Sequence, residues 1–546
     1  MKQLMYVLFC LTLTACGGSG NNSGPETTIS NLNFPDTLSR TTAGTLRPLE
    51  TGLTYNKEAV VPPQCYTKHE ATYNPCMTCH QSYPYGDRPN SMNDGGLQAE
   101  YAFSDVGVNN HWLNLFEDRS DAVAAISDQA VIDYIYTDNY STLIEQLQTT
   151  TDWTGPIPAI ENLELGSAAF DDQGFALDGS HWVAFNYKPL PSTFWPTNGS
   201  TDDVMLRLPA EFREQSCSGS GYSRDTYMAN LAILEAAIQD LAAVSVPPID
   251  ENAFCTDLNG DSVLGVIETI HRPTHYVGNA SSVEVVPMLY PQGTEFLHTV
   301  RYIGMNKEGE ITIPARMKEV RFMRKHQFFT ETQLISMYGN ENQEKIDGLL
   351  PKYVSRGDEG LDNGFGWLVL GFIEAAEGHL RKQSEEETLF CMGCHTTIGT
   401  TIDQTFAFPR KVTGADGWGY IDLKGMVDAP NVGGVEGEIL DYLKIAGGGN
   451  EFRENEEIIE KWFNTDDSVN ELKVLSSDVY ELITPSLSRA LTLNKAYMSL
   501  VQDQDFIYGR DASVKPATNV YQTIDPLTAP VLPAEHRYQW DIRLNW

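Results

Sequence analysis

Cys76-Met77-Thr78-Cys79-His80 and Cys391-Met392-Gly393-Cys394-His395 share one pattern, C-x-x-C-H. Two thiols three residues apart, followed at once by an imidazole, have a specific chemical use. Their S–H bonds can add across the two vinyl groups of a haem, and the histidine then lies where it can ligate the iron from one side. A zinc knuckle needs a second Cys/His pair close by, and a disulfide has no use for the histidine. With 9 Cys and 11 His in 546 residues, two accidental copies of the pattern are very rare. The motifs therefore predict two covalently bound haem c groups. Cys76, Cys79, Cys391 and Cys394 attach them, and His80 and His395 are the proximal iron ligands.

The second axial ligands are less constrained by spacing. For the first haem, His69 lies seven residues before Cys76, His111 lies 31 residues after His80, and Met92 falls between. For the second haem, Met426 lies 31 residues after His395, on Tyr420-Ile421-Asp422-Leu423-Lys424-Gly425-Met426, and His379 lies twelve residues before Cys391. Leu368 to Glu387 reads as a helix leading into Phe390-Cys391, with Leu370, Ile373, Ala376 and Leu380 on one face. Pro75 directly before Cys76 predicts that the first motif opens a short helix.

The N-terminus has the pattern of a secretion signal over 1–15. Lys2 gives the positive start, and Leu4 to Leu13 is apolar but too short to span a membrane. Leu13-Thr14-Ala15-Cys16 resembles the bacterial lipobox. The resemblance implies cleavage before Cys16 and lipidation of that cysteine, with 16–50 as a flexible linker. Gly17 to Gly24 has linker composition. No later stretch is long and apolar enough for a membrane-spanning helix.

The net charge is −37, from 74 acidic and 37 basic residues. That argues against nucleic acid and against electrostatic binding to anionic lipid. Hydrophobic content of 41% and aromatic content of 10% fit a folded protein with one large core or several smaller ones. Of the nine cysteines, Cys10 leaves with the signal, Cys16 takes lipid and four take haem. In an oxidising compartment Cys217 and Cys255 can pair, which leaves Cys65 as the odd thiol.

Between the motifs the pattern changes. Asp121 to Leu147 suggests two core helices. His181 to Tyr187, Val283 to Met288, Glu295 to Ile303, Ile311 to Pro314 and Lys318 to Met323 read as strands. Ser223 or Asp225 caps a helix running to about Val244, ended by Pro247-Pro248. Asp257-Leu258-Asn259-Gly260-Asp261-Ser262-Val263-Leu264-Gly265-Val266-Ile267-Glu268 resembles an EF-hand calcium loop. The resemblance implies Ca²⁺ ligation by Asp257, Asn259, Asp261 and Glu268, with the Val263 carbonyl, in a structural role. Ser262 stands where that family has Gly, and no helix precedes the loop. Arg316 to His326 is the one basic cluster, suited to haem propionates or to surface ion pairs. Residues 436–445 and 454–463 read as short helices, and the tail after Asp511 as an irregular wrap.

On these motifs the chain resembles dihaem c-type cytochromes of Gram-negative bacteria, carried on a lipoprotein. More distant resemblances are to the cytochrome c peroxidase and MauG group and to the rubber oxygenases, although 315 residues separate His80 from His395. The resemblance implies a mixed fold: mainly α, cytochrome c-like haem-binding regions at 51–160 and 331–546, around a β-rich, irregular middle segment at 161–330. It implies electron transfer in the bacterial cell envelope, on the periplasmic or outer-membrane side. The redox partner is a protein in the envelope, and the membrane is reached through the lipid anchor only. The alternative is a dihaem oxidoreductase, peroxidase- or oxygenase-like, with one open haem site.

Overall fold

A computed structural model describes residues 29–49, 60–68, 75–81, 83, 94–100, 103–191, 199–217, 219–347, 349, 351–446, 456–529, 531–532, 537 and 539–546. The signal, Cys16, His69 and Met92 lie outside these residues. The fold is mixed α/β, and its centre is an antiparallel sheet of eight strands. In chain order they are β1 (Val183–Ala184), β2 (Thr201–Arg207), β3 (Glu295–Arg301), β4 (Met317–Lys325), β5 (Val354–Ser355), β6 (Leu361–Asp362), β7 (Trp367–Glu374) and β8 (Leu380–Lys382). The spatial order is β5-β6-β7-β4-β3-β2-β1, and β8 pairs with β7. The sheet thus continues past residue 330, where the β-rich middle was expected to end.

Register decides which residues share a face. Val204 pairs with His298, His298 with Arg321, and Arg321 with Gly371. One residue along, Met205 pairs with Leu297, Leu297 with Phe322, and Phe322 with Leu370. Because strand side chains alternate, the two rows point to opposite faces. The second row is sealed in an apolar core with Trp182, Leu143 and Leu147. The first row belongs to the face that the second C-x-x-C-H motif covers.

The stretch from Leu368 to Glu387 is not the helix its spacing suggests. It is β7, a turn, β8 and only then helix α2, Glu385–Met392. All eight residues of β7 are buried. A strand covered on both faces loses its alternation and becomes a continuous apolar run, which periodicity cannot tell from a buried helix. Helix α1, Arg224–Ile238, is capped by Ser223, which accepts the Thr226 N–H. It stops short of Val244, because Ala243–Asp250, with Pro247 and Pro248, pairs antiparallel with Val266–His271. Three short helices, Ser120–Ala125, Asp128–Ile135 and Tyr140–Thr149, take the place of two. Val283 to Met288 forms no strand and makes one bridge, Glu284 to His275.

Helices Glu438–Ala446 and Glu456–Trp462 match the expected pair. A disulfide joins Cys217 to Cys255. The tail after Asp511 wraps the molecule. Val520 bridges Thr67, Thr523 bridges Asn109, and the Trp540 indole N–H donates to the Met77 carbonyl at 2.8 Å. No helix among the described residues is long and apolar enough to cross a membrane.

Candidate functional site

Both motifs fold as a single helical turn. In the first, a 3₁₀ turn over Pro75–Thr78, the N–H groups of Cys79 and His80 donate to the Cys76 carbonyl at 3.1 and 2.8 Å. In the second, α2 starts at a capping box of Ser384 and Glu387 and ends on the motif. There the N–H groups of Cys394 and His395 donate to the Cys391 carbonyl at 3.2 and 3.0 Å. Such a turn sets the first cysteine and the histidine, four residues apart, on one face.

Each histidine is oriented through Nδ1. His80 Nδ1 lies 2.8 Å from Asp94 Oδ2, and His395 Nδ1 lies 2.8 Å from the Gln404 carbonyl. Nε2, the nitrogen that faces iron in the haem reading, carries no hydrogen bond among the described residues. A metal-binding histidine characteristically spends its second nitrogen on such an acceptor, which fixes tautomer and ring angle. Burial, against the bond to Gln404, lowers the His395 pKa to about 4. Burial also pushes the thiols of Cys76 and Cys394 up to about 12.

The loop that follows the second motif lies against the first. The Thr400 N–H donates to the Cys79 carbonyl at 3.0 Å, and the Gly399 N–H donates to Asp94 at 3.2 Å. A Cβ on Gly393, inside the second motif, would sit 2.2 Å from the Val60 carbonyl oxygen, so this approach requires glycine. Cys65, the odd thiol, is buried within electrostatic reach of Cys76 and Cys394.

A cavity of about 230 Å³ opens beside the second motif. Cys79, Cys391, Cys394 and His395 line one side. The sheet face supplies the other, with Asp202 and Val204 from β2, Phe296, His298 and Val300 from β3, Glu319, Arg321 and Met323 from β4, and Val369 from β7. Phe390 and Phe406 add apolar wall, and Lys318 and Arg510 add positive charge. Arg321 and Arg510 each donate to Glu319 at 2.9 Å. Thiols, an oriented imidazole, aromatic walls and forked cations form a donor set that fits a haem and its propionates.

Of the basic side chains in the cluster Arg316 to His326, Lys318 and Arg321 line this cavity. Arg316 turns to the far side, bonded to Glu374 and the Gly378 carbonyl, and Lys325 is buried against Asp403. The distal candidates separate as clearly. Met426 packs in the apolar core with Val474, Val479 and Leu482, outside the cavity wall, because the loop after the motif folds onto the C-terminal helices. His379 sits on the β7–β8 turn, its ring against Gly44 and its Nε2 3.3 Å from the Thr45 carbonyl. His111 is buried, 4.1 Å from the Trp112 ring, and neither of its nitrogens has a hydrogen-bond partner among the described residues. Trp112 belongs to a small core against which Cys76, Cys65 and Phe390 pack, so His111 stands near the first motif. His298 was not among the residues singled out from sequence. Its only sequence signal is alternation, with Phe296, His298 and Val300 on one side of a strand and Leu297 and Thr299 on the other.

The calcium loop joins two strands rather than two helices. Ser262 is left-handed, at φ 69°, the conformation for which the EF-hand keeps Gly at that position. Asp257 accepts the Gly260 and Ser262 N–H groups at 2.6 and 2.7 Å, and Asp261 accepts that of Val263 at 2.8 Å. Asn259 accepts the Asp261 N–H at 3.0 Å, while Glu268 lies on the strand Val266–His271. Among the described residues no group of three or more His, Cys, Asp or Glu is gathered to hold a metal ion.

Residues 49–479, which include both motifs and the whole sheet, match the model of a family described as "-like lipoprotein". The chain belongs to this lipoprotein family. It is also similar to a protein of Aquifex aeolicus (strain VF5) described as "Uncharacterized lipoprotein", with 31% identity over 521 residues, covering 84% of this chain and 86% of that one. No solved structure matches. Membership makes this an envelope-associated, lipid-anchored protein.

Proposed function

We propose that this lipoprotein is a dihaem c-type cytochrome that transfers electrons in the cell envelope, tethered through Cys16. The observation that carries the reading is that two C-x-x-C-H turns, each with its histidine oriented through Nδ1, come together, the loop after the second bonded to the first. A haem on each motif supplies a one-electron iron couple. The chain's own residues do the rest. Asp94 and Gln404 hold the proximal imidazoles, the sheet face and Phe390 exclude water, and Arg321 and Arg510 offset negative charge. The closeness of the two motifs would favour electron exchange between groups bound to them and delivery to a partner protein.

A dihaem oxidoreductase is the second reading, and the cavity beside His395 is the observation in its favour. A calcium ion in the loop at 257–268 belongs to either reading as a structural ion. The deciding experiment is haem content by mass and by alkaline pyridine spectrum, followed by exposure to carbon monoxide and peroxide. Two covalent haems that ignore both reagents support an electron carrier, and one that binds them supports an oxidoreductase. Cys391→Ala with Cys394→Ala halves covalent haem, and unchanged haem content refutes attachment at the second motif.

A further inference from the structure

We infer that His298 is the sixth ligand of the iron held by the second motif, and that Asp202 positions it. This rests on the haem reading above and adds a residue and a coordination state to it.

Three observations converge on His298. The first is place. His298 and His395 line the same cavity, His395 from the motif and His298 from the middle of the sheet face. The second is surroundings. On its strand, Phe296 and Val300 flank His298 toward the cavity, and Val204 and Arg321 are its cross-strand neighbours. His298 is half-buried at the cavity wall, and its Nδ1 carries no hydrogen bond among the described residues.

The third observation is the hydrogen bond. His298 Nε2 lies 3.1 Å from Asp202 Oδ2, and the other Asp202 oxygen accepts the Tyr187 hydroxyl at 2.9 Å. With the proton on Nε2, the lone pair is at Nδ1, and either ring nitrogen can ligate a metal. Asp202 thus orients His298 through Nε2, whereas Asp94 and the Gln404 carbonyl hold His80 and His395 through Nδ1, so His298 would ligate through Nδ1. The other histidines and methionines weighed for this iron lie elsewhere. Met426 is in a core and His379 on a distant turn. Met323 lines the cavity but lies in the next row, paired with Phe296 and Val369.

Ligation by His298 gives the second iron two nitrogen ligands, keeps it low-spin and closes it to small molecules. The cavity is then the seat of the cofactor and no substrate pocket, which favours electron transfer over oxidoreductase chemistry.

The test uses the full-length holoprotein and reads spin state by electron paramagnetic resonance and by carbon monoxide binding. Wild type should hold two low-spin haems. His298→Ala should retain both covalent haems but turn half of the haem high-spin and able to bind carbon monoxide, and added imidazole should restore the low-spin signal. His298→Ala with both haems still low-spin overturns the assignment, as does a wild type with one high-spin haem, or a high-spin haem produced by Met323→Ala and not by His298→Ala. Asp202→Asn keeps the side chain's size and covers the case in which His298→Ala does not fold. It should shift the one-electron equilibrium of that haem alone about tenfold, or about 59 mV. An unmoved potential removes the positioning role. A wild type without covalent haem overturns the function reading and this assignment together, whereas two haems with an unchanged variant spectrum overturn this assignment alone.

Discussion

The Nδ1 of His80 lies 2.8 Å from Oδ2 of Asp94, and the same oxygen accepts the Gly399 N–H at 3.2 Å. One carboxylate therefore orients the His80 imidazole and ties it to the loop that follows the second motif. Its other oxygen accepts the Gln81 N–H at 2.9 Å. The pair is local in the chain, but its third bond spans 305 residues. Folding around the second motif thus completes the setting of the first.

A carboxylate bonded to a ligating imidazole makes that imidazole a stronger electron donor and stabilises the oxidised iron. Asp94→Asn keeps an acceptor at the same place but removes the charge. Its expected effect is a rise in the midpoint potential of the first haem by about 60 mV, a tenfold change in a one-electron equilibrium. A redox titration of the two haems checks it, and a shift confined to the second haem would contradict the assignment of His80.

His111 is the strongest candidate for the far side of the first iron. Burial lowers its pKa to about 4, and neither nitrogen is bonded among the described residues. A buried polar group left in that state costs about 1–3 kcal/mol unless something occupies it. His111→Ala should leave covalent haem at two per chain and turn the first haem high-spin. If resonance spectra of the variant match wild type, His111 is a packing residue against Trp112.

The motifs were legible because their chemistry depends on spacing alone, and a helical turn preserves that spacing in any fold. The pairing of Cys217 with Cys255 and the Ser223 cap were legible for the same local reason. What surrounds the motifs was not. β7 reads as a helix because both its faces are buried, and only the register of the sheet reveals its period. Met426 was chosen by its distance along the chain, but the loop that carries it folds into an apolar core. His298 gains its meaning only from Asp202 and His395, which lie about 100 residues away on either side.

Glu319 gives the cavity a pH dependence. Burial would raise its pKa, but Arg321 and Arg510 outweigh burial and lower it from 4.5 to about 2. A carboxylate lowered in this way contributes stability that is complete above pH 4.5 and is lost as pH falls toward 2. The contribution is on the order of 3 kcal/mol. Urea midpoints measured from pH 5 down to pH 3 should fall for wild type. They should fall less steeply for Glu319→Gln, which is less stable throughout because two arginines lose their carboxylate. Parallel slopes for the two proteins would show that other carboxylates carry the acid sensitivity.

The loop from Asp257 to Glu268 separates a calcium site from a turn that is complete by itself. Its carboxylates already accept the loop's own N–H groups, and Glu251 holds its ends, accepting the N–H of Leu258 at 2.6 Å and of Gly265 at 3.3 Å. If calcium binds, Asp257→Ala removes a ligand as well as two hydrogen bonds, and its melting temperature should fall further below wild type in calcium than in chelator. An ion present at 100 times its dissociation constant stabilises by about 2.7 kcal/mol, which is readily resolved by calorimetry. If the loop is only a turn, Asp257→Ala loses two hydrogen bonds, to Gly260 and Ser262, and melts lower by the same amount in both conditions. Calcium would then leave wild type unchanged as well, and the hairpin would be held by Glu251 and the disulfide at Cys255 alone.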